Sequence, residues 1–136
     1  MSEENKALML RWFDEVWNQN RVDTIDELFA ADGVGHGLTD DKPINGPADF
    51  KPFQAAFRGA FPDIEVVVKD LIAEGDKVVA RCAVRGRHTG DHLGMAASNA
   101  GVDFGGVVIA RIENGKIAEA WNYFDFLKMN RQIGVI

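Results

Sequence analysis

Cysteine is nearly missing from this chain: Cys82 is the only one in 136 residues. That excludes an intrachain disulfide and any cysteine-built metal cluster, and a cytoplasmic location is the default expectation. Histidine is scarce as well. His36, His88 and His92 stand apart, with no HExxH motif and no close His/Asp cluster, so no metal site is expected. No run approaches the roughly 20 apolar residues that a membrane span needs. The start, Met1 to Leu10, carries charges ahead of a short apolar stretch and lacks a small-residue cleavage site, so it does not read as a signal peptide. Positive charge is in deficit: 15 Lys and Arg against 21 Asp and Glu leave a net −6. Such a surface repels phosphate backbones and anionic lipids, and neither nucleic acid nor membrane is expected as a partner.

What the chain does have is 46% hydrophobic and 26% charged residues, ordinary composition for one globular domain with one core. No repeat, low-complexity segment or linker divides it, so residues 1–136 read as a single domain. Leu8, Met9, Trp12, Phe13, Val16 and Trp17 recur at helical spacing behind a candidate N-cap at Ser2. Asp23 can cap a shorter helix burying Ile25, Leu28 and Phe29. The Gly/Asp/Pro-rich stretch from Asp32 to Gly46 reads as loop, with one short strand near Val34 to Leu38. Pro47 suits the start of a third helix with Phe50, Phe53 and Phe57 on one side, and Pro52 should kink or postpone it.

After Pro62 the period turns strand-like: one strand around Ile64 to Ile72, a turn at Glu74-Gly75, and a second strand from Lys77 to His88. Val102 to Glu113, the Asn114-Gly115 turn and Lys116 to Phe126 form the clearest hairpin. Helices first and an antiparallel sheet afterwards is the α+β pattern. In the second strand Val78, Ala80, Cys82, Val84, Gly86 and His88 share one side. A two-residue turn at Asn114-Gly115 pairs Val108 with Trp121, Gly106 with Tyr123 and Phe104 with Asp125, putting all six on one face. Gly105-Gly106 would permit a bulge that bends the sheet around a cavity.

Candidate chemistry gathers at the chain's end, in Trp121-Asn122-Tyr123-Phe124-Asp125-Phe126. A carboxylate among aromatics loses hydration, which raises its pKa and makes it a usable general acid/base. The alternative is that Asp125 sits solvated at the strand's end and caps the segment after it. His88 is the best-placed histidine, by its parity with small apolar residues; His36 and His92 read as loop residues. Gly33-Val-Gly35-His-Gly37 fails the context test for a dinucleotide site, Ser98 lacks a nucleophile elbow, and Cys82 reads as inert core. The aromatic load, with Gly and Ala opposite it on the sheet, matches the composition of an apolar pocket lined by Trp17, Phe57, Phe104, Trp121 and Tyr123.

The ordered set Gly46-Pro47, Phe61-Pro62-Asp63, Gly75 to Arg81, His88-Thr89-Gly90, Arg111 to Ile117, Glu119-Ala120-Trp121, Asp125 and Gln132-Ile133-Gly134 resembles the SnoaL-like polyketide cyclase family. The resemblance implies three N-terminal helices packed across a strongly curved antiparallel sheet, a cone shared with ketosteroid isomerases. It implies ring closure by an intramolecular aldol condensation without metal or cofactor. By position, Asp125 matches the family's last-strand aspartate, His88 matches the histidine of a "tHtG" stretch, and Asn122 stands where relatives often carry Asp. The loop Met95 to Gly101 departs from the proline-containing loop usual there.

The leading reading is a cofactor-independent acid/base enzyme acting alpha to a carbonyl of a small hydrophobic molecule. Asp125 would move the proton, and His88, Asn122 or Tyr123 would hold the enolate oxygen. A non-catalytic small-molecule binding domain is the alternative, motivated by Asn122 and the altered loop. An epoxide hydrolase-like enzyme would need an arginine and two carboxylates round one water, and Arg111 shares its predicted face with Asn122 rather than Asp125. A homodimer across the outer sheet face is also expected, with Val107, Ile109 and Phe124 as its apolar set.

Overall fold

The first apolar stripe folds as its spacing dictates. In the computed structural model, which describes residues 2–39, 42–91 and 95–135, an α-helix over Ser2–Arg11 (α1) widens into a π-helical segment over Trp12–Asn18. His92 lies outside the described residues. Widening a helix frees carbonyls that need new donors. Gln54 Nε2 takes Val16 O at 3.0 Å and the Arg58 guanidinium takes Trp17 O at 3.0 Å. Both donors belong to α3 (Gly46–Ala60), which carries Pro47 at its start and runs unbroken through Pro52. Trp17 meets Phe50, Phe53 and Phe57 of α3 edge-on, at 6.0, 6.2 and 6.2 Å between ring centres. Ser2 lies inside α1, and Asp23 is the first residue of α2 (Asp23–Leu28) rather than its cap, a position held by Val22. Arg11 fastens the two helices, donating at 2.8 Å to both Glu15 and Glu27.

The stretch read mostly as loop contributes two strands, β1 (Phe29–His36) and β2 (Ile44–Asn45). The four expected strands come after it: β3 (Glu65–Glu74), β4 (Lys77–Arg87), β5 (Gly101–Glu113) and β6 (Lys116–Phe124), and a short helix α4 (Phe126–Gln132) ends the chain. The strands form one sheet in the order β2-β1-β6-β5-β4-β3. The expectation of a strongly curved, antiparallel sheet is corrected on two counts. β1 runs parallel to β6, with Val34 opposite Glu119 and His36 opposite Trp121, so the sheet is mixed. It is also open, since β2 and β3 end it without pairing to each other, and it is not strongly curled. The mixed pairing comes from β1, which adds to the β6 edge in the parallel sense.

The decisive local feature lies in β6. Asn114 and Gly115 both take positive φ, 54° and 73°, as a two-residue hairpin turn requires. Glu113 pairs with Lys116 and Ile112 with Ile117, the register that turn sets. The next pair is Arg111 with Glu119, so Ala118 is an extra residue, a bulge. From there every partner is one position later: Ile109 faces Trp121, Val108 faces Asn122 and Gly106 faces Phe124. A one-residue slip exchanges the two faces of a strand. Ala120, Asn122 and Phe124 therefore point to the helices, while Glu119, Trp121 and Tyr123 point away, the reverse of the expected arrangement. No bulge occurs at Gly105-Gly106, where the β4–β5 pairing is continuous. Gly106 serves a different need: a Cβ there would stand 2.2 Å from the Phe124 ring, which lies over it.

Candidate functional site

Between the helices and the inner sheet face is a cavity enclosing about 80 Å³ within reach of the centre of a water molecule. One water needs about 10–15 Å³ on this measure, so there is room for a small organic ligand. The walls come from the π-helical segment (Trp12, Phe13, Trp17), α3 (Phe50, Phe53, Phe57), the strands and Phe126 of α4. Nearly all of the lining is hydrocarbon. Among the described lining residues the polar side chains are the Asn122 amide and the indoles of Trp12 and Trp17, and none is titratable.

The expected pocket residues divide. Trp17, Phe57 and Phe104 line the cavity, as does Asn122. Trp121 and Tyr123 do not: the Ala118 bulge turns them to the outer face, where Tyr123 is 65% exposed. Asp125 comes just after the strand as an exposed residue, and its carboxylate accepts from Lys128 N at 3.0 Å, capping α4. Its neighbours Phe124 and Phe126 both line the cavity, and it does not. Phe124, expected on the outer face with Val107 and Ile109, is a wall residue. His88 is fully buried, as its parity implied, but it stands outside the lining, against Phe61 with ring centres 5.4 Å apart. Its Nδ1 is 2.9 Å from Ser98 Oγ and accepts from Ser98 N at 3.2 Å, which places the ring proton on Nε2, where it has no partner among the described residues. Burial pushes the Cys82 thiol up to about 12, so this core cysteine stays protonated.

Asn122 is held by a residue that gave no local signal. Its Nδ2 donates to the backbone carbonyl of His36 at 2.9 Å. The His36 ring lies on the other side of the sheet, stacked on Trp121 at 5.8 Å and 20°, with Nε2 2.7 Å from Glu119. Arg111 bridges Glu113 at 2.9 Å and Glu119 at 3.5 Å. The His36 hydrogen bond, with Arg111 as the lesser influence, holds the Glu119 carboxyl below the usual carboxylate range. This cluster does bring an arginine to two carboxylates, but on the outer face. Arg111 therefore shares a face with Trp121, not Asn122, and no acid lines the cavity among the described residues, where an epoxide hydrolase-like site would need two. Gly37 seals the junction with φ of 86°, and a Cβ there would stand 2.0 Å from the Asn122 carbonyl oxygen. The contacts of His36 span 83 or more residues, so only the β1–β6 pairing reveals them.

Among the described residues, no group of three or more His, Cys, Asp or Glu could hold a metal ion, and no helix is long and apolar enough to cross a membrane. A family model for SnoaL-like polyketide cyclases matches residues 7–133. The chain is 27% identical over 129 residues to the aklanonic acid methyl ester cyclase DnrD of Streptomyces peucetius, spanning 93% of this chain and 88% of that one. A solved structure from Jannaschia sp. CCS1, described as a SnoaL-like polyketide cyclase, superposes with a TM-score of 0.89 at 26% identity, covering 99% of this chain and 94% of the other. A protein of ketosteroid isomerase-like fold from Catenulispora acidiphila superposes with a TM-score of 0.76 at 17% identity over 93% and 92% of the two chains, a likeness of fold alone. The chain carries the ketosteroid isomerase-like fold and belongs to the SnoaL-like polyketide cyclase family.

Proposed function

We propose that the cavity binds a small hydrophobic molecule bearing carbonyl groups and promotes its intramolecular aldol closure without a cofactor, with Asn122 at the reacting oxygen. The observation that carries this reading is the composition of the cavity: aromatic and aliphatic walls around a single amide. Apolar walls fold a flexible ligand so that its nucleophilic carbon lies against its electrophilic carbonyl, and orientation of this kind removes much of a ring-closure barrier. In the closure the enol carbon forms the new C–C bond and the attacked carbonyl becomes an alkoxide. The enol oxygen passes its proton to water as its own C=O forms, and the alkoxide takes a proton from water, so the product is an isomer of the substrate. Asn122 Oδ1 accepts a hydrogen bond from the enol hydroxyl and holds the enol carbon against the carbonyl it attacks, a contribution of about 10²-fold in rate. Asp125 has no part in this scheme, because its carboxylate caps α4 on the exposed side.

A second reading, binding without turnover, is favoured by the absence of a titratable side chain from the lining. Incubation with aklanonic acid methyl ester, the compound in the relatives' names, separates the two. A ring-closed isomer of equal mass, formed by the wild type and about 10²-fold more slowly by Asn122→Leu, supports closure at the amide. Saturable binding with no isomer leaves a binding protein. The expected homodimer would use the outer face through Val107, Ile109, Trp121 and Tyr123, and sedimentation as a monomer at micromolar concentration would overturn it.

A further inference from the structure

We infer that the cavity takes its ligand as a neutral hydroxyl compound, a phenol or the enol form of a 1,3-dicarbonyl, and that Asn122 Oδ1 accepts a hydrogen bond from that hydroxyl. This rests on the reading that the cavity is a ligand site and names the chemistry that site selects. The orientation of the Asn122 amide is fixed by its partner. A backbone carbonyl can only accept, so the group facing His36 O at 2.9 Å is the nitrogen. Turning the amide over would set oxygen against oxygen. The carbonyl cannot retreat either. The His36 ring is held by Glu119 at 2.7 Å and by its stack on Trp121, and Gly37 packs so closely that even a methyl would overlap Asn122 O. The amide oxygen, on the other branch of Cγ, has no protein partner among the described residues.

The rest of the lining sharpens the choice. Trp12 and Trp17 can donate through their indole N–H groups and cannot accept. Among the described residues Oδ1 is therefore the one side-chain oxygen in the wall that a ligand hydroxyl can meet. Ketone oxygens, which only accept, have nothing to gain from Oδ1. Among the described residues no cationic side chain lines the cavity, so an enolate or phenolate gains no counter-charge there against its desolvation. The neutral hydroxyl form is selected over its anion. Edge-on packing of Trp17 on three phenylalanines gives walls suited to a flat ring.

Calorimetric titration with 2-naphthol, 2-methoxynaphthalene and naphthalene tests this with the wild-type protein. The hydroxyl compound should bind about tenfold more tightly than either comparator, the value of one buried hydrogen bond. Its affinity should fall as the pH rises through the naphthol's own ionisation. In Asn122→Leu the ratio should collapse to about one. Equal wild-type affinities for naphthol and its methyl ether would overturn the inference while leaving the cavity a binding site. A ratio preserved in Asn122→Leu would move the contact away from Asn122 and overturn it too. Binding of none of the three would overturn both the inference and the reading beneath it. The wild-type ratio decides without any variant, so a poorly folding Asn122→Leu does not shield the claim.

Discussion

One strand, β6, shows two unlike faces. Inward it presents Ala120, Asn122 and Phe124 to an apolar cavity; outward it presents Glu119, Trp121 and Tyr123, with Glu119 tied to His36 and Arg111. A single extra residue, Ala118, separates this arrangement from its mirror. Without the bulge, strict alternation from the buried Ile117 would turn Glu119 and Asp125 inward, two carboxylates facing a wall of hydrocarbon. Burying unpaired charge costs several kcal/mol, far more than a bulge. The comparison teaches that the side of β6 that reaches a ligand is set by where the charges must go.

The largest effect should come from breaking the junction that joins the faces. Gly37→Ala puts a methyl 2.0 Å from a backbone oxygen at a φ of 86°, and should cost about 2–4 kcal/mol in denaturant unfolding. Gly75→Ala is the matched control, with φ of 60° but open space around it, and should cost about 1 kcal/mol. Next, Gly106→Ala forces the Phe124 ring off its seat and should cost about 1–3 kcal/mol, with a loss of ligand affinity that Gly75→Ala does not share.

Asp125 gives a finer test of the faces. As a cap it tolerates Asn, so Asp125→Asn should unfold within a few tenths of a kcal/mol of wild type and Asp125→Ala about 1 kcal/mol earlier. Loss of ligand binding in Asp125→Asn with stability unchanged would put the carboxylate in the site after all. The smallest effect is in acid. The Arg11 hydrogen bond, aided by Thr24, holds the Glu15 carboxyl at about 2 against an ordinary 4.5. Its contribution is therefore present above pH 4.5 and lost as the pH falls toward 2, and Glu119, also held low, loses its contribution in the same direction. Glu15→Gln should flatten that acid limb of a stability–pH curve.

Much of the scaffold was legible in the residues. Helical spacing locates the stripe from Leu8 to Trp17 and the Phe50, Phe53 and Phe57 face, and alternation groups Val78, Ala80, Cys82, Val84 and His88, all of them buried, while Gly86 of the same set is only partly so. The Asn114-Gly115 turn set the first two pairs of its hairpin. Register beyond those pairs was not legible from the turn, because a bulge costs the local sequence nothing visible. The signal was available in Glu119, whose charge does not belong on the side that alternation from Ile117 assigns it. β1 is legible only in part, since the short strand expected near Val34 to Leu38 overlaps its end: its parallel partner β6 is far away in sequence, and Gly33, Gly35 and Gly37 look like loop until their neighbours are known. His36, Glu119 and Trp121 could be assembled only through that pairing.

The most direct test is a crystal structure of the protein with bound 2-naphthol. The account predicts the ring between the π-helical segment and β6, with its hydroxyl within hydrogen-bond distance of Asn122 Oδ1 and no ligand atom touching Asp125. A hydroxyl seated on Asp125 or Tyr123, with the cavity between the helices and the sheet empty, would contradict it.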